Sequence, residues 1–196
     1  MAFSAENLAK IVPHMNFFNI MTYDLINRRD PIFKHHAGIE DSLVAVNQYL
    51  RNGMPPEKTI LGFAFYLKWF KALPTKDEPP TPYGLPLALM EDPVTGADLG
   101  GTGAVLWSDG PDASVAASFE RAVKGGSYDE TYGGHFYVDR EENLIWTWES
   151  PDAIMRKYDT VVKSKKLGGV FAWDLGGDSK DWGHLNALNG AVEKTT

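Results

Sequence analysis

Three short runs constrain the fold of this chain more than any other feature: FFNIMTYD (17–24), TILGFAFY (59–66) and GVFAWDL (169–175). Each has the length of a strand. The first two are apolar on both faces, which suits a parallel sheet covered by helices and not an antiparallel sheet with one wet face. Between them, Ile39, Leu43, Val46 and Leu50 recur at helical spacing over 39–52, and Gly53 is a natural stop. Strand, helix, strand is a βαβ unit, and its crossover is expected to be right-handed. The third run is expected to be a third buried strand. It follows a helix that opens at Ser150, carries Pro151 at its first position, runs to Lys166 and stops at Gly168. A last helix is predicted over about 181–193, and an opening one is capped by Ser4, with Leu8, Ile11 and Val12 on one face.

The rhythm breaks between 70 and 149. Pro and Gly crowd LPTKDEPPTPYGLP and TGADLGGTG; DASVAASFERAV then reads as one helix, and GHFYVDREENLIWTWE as a hairpin turning near Glu141–Asn143. These signals predict an inserted α+β lobe. GGTG (100–103) lacks the Lys-Ser/Thr that follows a phosphate loop, so it reads as a turn. On the hairpin, Trp146 and Trp148 fit cross-strand core pairs better than a ligand cleft, and Trp107 is treated likewise.

A net charge of −7 disfavours nucleic acid and anionic membrane surfaces as partners, and no apolar run approaches the roughly 20 residues of a membrane span. With no Cys, disulfides and thiolate chemistry are excluded. The opening MAFSAENLAKIVPHM has neither the basic start nor the apolar centre of a secretory signal. His35-His36 could suggest a metal, but adjacent imidazoles point apart and no third ligand is spaced for zinc; a solvated loop pair or a contact at a cleft rim is expected instead. No metal and no cofactor is expected.

The polar ends of the strands remain. Alternation puts Asn19, Met21 and Tyr23 on one face and Phe18, Ile20 and Thr22 on the other. In barrels and doubly wound sheets, sites form at the C-terminal ends of parallel strands. Tyr23 and Asp24, Tyr66, and Trp173 with Asp174 all stand at such ends. On the pattern alone, core aromatics and a capping Asp account for them better than a shared pocket does.

A resemblance reverses that balance. The three runs resemble, in order, the sixth, seventh and eighth strands of glycoside hydrolase family 18, the chitinases, and the loop NRRD…KHH resembles fungal members in particular. The family's Gln-x-Met-x-Tyr-Asp is matched by Asn19, Met21, Tyr23 and Asp24. Its Gly-Ile-Pro-Phe-Tyr-Gly-Arg is matched by Gly62, Phe65 and Tyr66, with departures at Ala64, Leu67 and Lys68. Its Gly-Gly-Val-Met-x-Trp-Glu is matched by Gly168, Gly169, Val170 and Trp173. Many members carry an α+β insertion after the seventh strand, where 70–149 falls.

The resemblance implies an α/β fold: a partial (β/α)8 TIM barrel of strands six to eight with their helices, 1–69 and 150–196, carrying an inserted α+β lobe, 70–149. It implies substrate-assisted hydrolysis of β-1,4-linked N-acetylglucosamine. In that role Tyr23 donates to the acetamido oxygen, Asp24 binds the distorted sugar, Trp173 forms the floor, and Asn19, Met21 and Tyr66 complete the pocket wall. The family's proton donor, the Glu of Asp-x-x-Asp-x-Asp-x-Glu on the fourth strand, has no counterpart here. Glu149 ends LIWTWE without any upstream Asp and is read as structural. A C-terminal fragment inactive alone is therefore expected, with Met1 an internal methionine or a truncation point. The alternatives are a non-catalytic remnant that binds chito-oligosaccharides, and a half-barrel that assembles with a separate N-terminal half or with itself. The family is commonly extracellular.

Overall fold

The computed structural model describes residues 3–75 and 79–194; Met1 and residues 76–78 of the Pro-rich stretch lie outside the described residues. The chain runs α1 (Ala5–Ile11), β1 (Phe18–Ile20), α2 (Ile39–Arg51), β2 (Thr59–Ala64), β3 (Tyr66–Lys71), β4 (Thr102–Leu106), α3 (Ala116–Gly125), β5 (Ser127–Asp129), β6 (Gly134–Asp139), β7 (Leu144–Trp148), α4 (Pro151–Lys157), β8 (Gly169–Trp173) and α5 (Gly183–Glu193). No helix among the described residues is long and apolar enough to cross a membrane.

Two sheets form. The three apolar runs make a parallel sheet ordered β1-β2-β8. The lobe makes an antiparallel sheet ordered β4-β3-β7-β6-β5. One face of the parallel sheet carries Leu61, Phe63 and Phe65, all shut from solvent, onto α2, α4 and α5 through Val46, Ile154, Val161 and Leu188. Burying each such side chain contributes about 1.5–3 kcal/mol. α4 starts on a Ser150 cap with Pro151 at its first position and continues as a wider, π-type turn over Tyr158–Lys163.

The strands differ from the sequence expectations in four places. The first strand, expected over 17–23, pairs only from Phe18 to Ile20, because the Thr22 hydroxyl then takes over and donates to the Gly62 carbonyl at 2.8 Å. The run expected to continue to Tyr66 ends at Ala64, and Tyr66 opens β3 in the other sheet. β8 is half-buried at a sheet edge, with Trp173 58% exposed, so it is not a buried strand. GGTG is not a free turn: Thr102 and Gly103 begin β4, and Gly103 lies flat against Trp69.

A buried ion pair joins the layers. Glu149 Oε2 accepts from the Ala64 N–H at 2.7 Å, and Oε1 lies 3.0 Å from Lys157 Nζ, which also donates to the carbonyls of Thr22 and Ala37. Burial pushes the Glu149 carboxyl up and the Lys157 ammonium down, while each partner's charge opposes the shift.

Candidate active site

Parallel register aligns the residues of the uncovered sheet face. Asn19 pairs with Ile60 and that residue with Gly169; Gly62 pairs with Phe171, and Ala64 with Trp173. Asn19 is exposed, Met21 is 65% exposed and Trp173 58%, so this face presents apolar surface to solvent. Trp173, at the end of β8, joins Asp174 through a cis peptide, and the Asp174 carboxylate caps the next turn by accepting from Gly177 N–H at 2.8 Å. Asp174 is therefore occupied by its own backbone.

Tyr23, in the loop just past β1, and Tyr66, the first residue of β3, come together. Tyr23 is buried, with its ring edge-on to Tyr66 (centroids 6.3 Å apart) and to Phe171 (6.1 Å). Gly62 makes room for this. A Cβ there would stand 2.7 Å from Tyr23 Cε1 and 2.8 Å from Phe171 Cζ. The Tyr23 hydroxyl has no hydrogen-bond partner among the described residues. Burial, and then the Asp24 charge, raise its pKa, so it stays a protonated donor.

Asp24, in the loop after β1, adopts a left-handed backbone (φ 53°), and its carboxylate is half-exposed. That carboxylate accepts from the Tyr66 hydroxyl at 2.9 Å and from Lys68 Nζ at 3.0 Å. Burial, and then the Asp24 charge and hydrogen bond, push the Tyr66 hydroxyl far above its ordinary range. Lys68, whose departure from the family pattern left the usual Arg without a counterpart, thus supplies a cation at the site. The signal for it was alternation, since Lys68 falls two residues after Tyr66 on one strand.

Glu149 is buried, held by the Ala64 N–H of β2 and by Lys157. The tryptophans of the lobe pack: Trp146 is fully buried and donates to Ser118 at 2.8 Å, Trp148 is buried against His135, and Trp107 sits between Phe119 and His184. The expectation for His35-His36 needs correction. Neither ring is solvated or at a rim; both are buried. His35 is held by Asp129 (3.0 Å) and Thr147 (3.2 Å) of the lobe, and His36 packs under Tyr66.

The comparisons with known proteins agree on one family. The model of the glycosyl hydrolases family 18 matches residues 2–178. Endochitinase 1 of Metarhizium robertsii is 24% identical over 176 residues, spanning 84% of this chain and 36% of that protein. Among solved structures, a chitinase from Rhizomucor miehei superimposes with a TM-score of 0.76 at 20% identity, covering 93% of this chain and 55% of that one. A class V chitinase from Cycas revoluta, solved with (GlcNAc)3, gives 0.62 at 22% identity, over 96% and 48%. These likenesses show an α/β fold shared with TIM-barrel proteins, and the chain spans about half the length of the solved relatives or less.

Proposed function

Since this chain belongs to the glycosyl hydrolases family 18, we propose that it is the C-terminal part of a chitinase-type enzyme and holds N-acetylglucosamine units of chitin on its uncovered sheet face. In this reading 1–69 and 150–196 are barrel strands six to eight with their helices, and 70–149 is the inserted lobe, whose sheet takes in Tyr66–Lys71 as well. One observation carries the proposal: the buried Tyr23 hydroxyl, a protonated donor without a partner among the described residues, beside an Asp24 carboxylate already held by two donors. A buried donor left unmet costs about 1–3 kcal/mol, which a ligand carbonyl oxygen would recover.

Family 18 glycosidases depart from the two-carboxylate scheme and use the substrate's own acetamido group. A carboxylic acid protonates the glycosidic oxygen, and the N-acetyl carbonyl oxygen attacks the anomeric carbon. Here Tyr23 donates to that acetamido oxygen and orients it, Asp24 binds the sugar, and the exposed indole of Trp173 takes its apolar face. Asn19, Met21 and Tyr66 line the wall. These 196 residues contain no Asp-x-x-Asp-x-Asp-x-Glu run, so the chain binds the sugar without cleaving it.

A second reading, a half-barrel that pairs with a separate N-terminal half or with itself, is favoured by the outer edges of β1 and β8, each with a neighbour on one side only in the described sheet.

Titration of the chain with chitotetraose, followed by tryptophan fluorescence, tests the proposal. We expect saturable binding that Trp173→Ala weakens about fivefold or more, from loss of roughly 1 kcal/mol of ring contact, and no release of shorter sugars on incubation. Equal binding by the two proteins, or none by either, defeats the sugar reading; enzyme-dependent cleavage defeats the claim of inactivity.

A further inference from the structure

The loop after β1 folds back on its own start. The Leu25 N–H donates to the His36 carbonyl at 2.9 Å, so the residue next to Asp24 and His36 are hydrogen-bonded neighbours. The two adjacent histidines therefore part company. His35 turns into the lobe, to Asp129 and Thr147. His36 turns back beneath the site, its ring 5.1 Å from that of Tyr66, and is wholly shut from solvent.

Neither nitrogen of His36 has a hydrogen-bond partner among the described residues. Burial, and then the nearby charges of Lys68, Lys157 and His35, hold its pKa well below the ordinary histidine value, so the ring is neutral. A neutral imidazole carries one N–H and one acceptor nitrogen, and burial makes an unmet N–H costly. The Asp24 carboxylate is near: its Oδ1 lies 4.0 Å from Nδ1, too far for a hydrogen bond but within reach of a small carboxylate rotation. That oxygen is the one now held by Tyr66 and Lys68. Sugar hydroxyls arriving at the site give both of those donors a new acceptor. A carboxylate that loses a donor needs a replacement.

We propose that His36 is a positioning residue of the sugar site, its Nδ1–H aimed at Asp24 as the donor that takes over when a bound sugar engages Tyr66 or Lys68. The inference rests on the sugar-binding reading for its ligand-bound half. The unliganded half stands on the placement of the ring. His36 touches no sugar itself; it acts through Asp24.

Two measurements on the full chain test it. In nitrogen-15 imidazole spectra, the signals removed by His36→Phe identify the ring. We expect a neutral Nδ1–H tautomer whose signals move in Asp24→Asn. An Nε2–H tautomer, or signals that Asp24→Asn leaves in place, overturns the pairing. In chitotetraose titrations, His36→Phe keeps a ring under Tyr66 but has no N–H, and binding should weaken about tenfold, as for loss of a hydrogen bond to a charged group. His36→Gln can donate and should recover most of that loss, which a purely packing role would not allow. Binding by His36→Phe equal to that of the unsubstituted chain overturns the inference while leaving the sugar reading intact. Absence of binding by the unsubstituted chain overturns the sugar reading and the ligand-bound half together, and the tautomer still decides the pairing with Asp24.

Discussion

Asp129 gathers four donors around one buried carboxylate: His35 at 3.0 Å, the Thr81 hydroxyl, and the backbone N–H groups of Thr131 (2.9 Å) and Tyr132 (3.2 Å). Burial pushes its pKa up, but the hydrogen bonds outweigh burial and hold it down to about 2, below the ordinary 3.8. A carboxyl depressed in the folded state contributes stability that is complete above its unfolded value and is lost as pH falls through the folded one. The contribution is about 2 kcal/mol. Thermal melts between about pH 5 and about pH 2 should therefore show a loss of stability that is smaller in Asp129→Asn, which has no such proton to gain. Identical acid slopes would remove Asp129 from the account. The histidine pair shows where a sequence stops being legible. That the two rings point apart follows from adjacency. Their burial does not, because the partners of His35 lie 94 and 112 residues downstream.

At the scale of elements, the parallel pairing of the first two apolar runs was readable from their two-sided hydrophobicity, and the helices from periodicity and caps. Their ends were not, since each is set by a distant group: Thr22 replaces a backbone donor to Gly62, and Glu149 takes the Ala64 N–H. The close approach of β2 to the Tyr23 and Phe171 rings depends on Gly62 having no side chain. Gly62→Ala should destabilise the chain by about 1–3 kcal/mol through overpacking, read as a lower urea midpoint, and should weaken chitotetraose binding by displacing Tyr23. An unchanged midpoint would mean that the rings yield freely. The role of Lys68 was half visible: its alternation with Tyr66 is in the sequence, its distance to Asp24 only in the fold.

Taken whole, the molecule sets a wet, apolar sheet face and two single-sided edges next to a packed lobe. The proposed self-association then predicts species heavier than the 21.7 kDa chain in sedimentation velocity as concentration rises; one species of that mass throughout would count against it. The junction between the two sheets carries a different consequence. Going out, Phe65 alone separates β2 from β3, and coming back, only Glu149 and Ser150 separate β7 from α4, with Glu149 bonded across to Ala64. Such a joint has no slack. The tip of the loop carrying the almost fully exposed Val94 is, by contrast, the kind of place where insertions are tolerated. A single residue added at the joint itself would reverse which side of the strand every later side chain faces. Variation in this protein is thus open at the rim of the lobe and closed at its root.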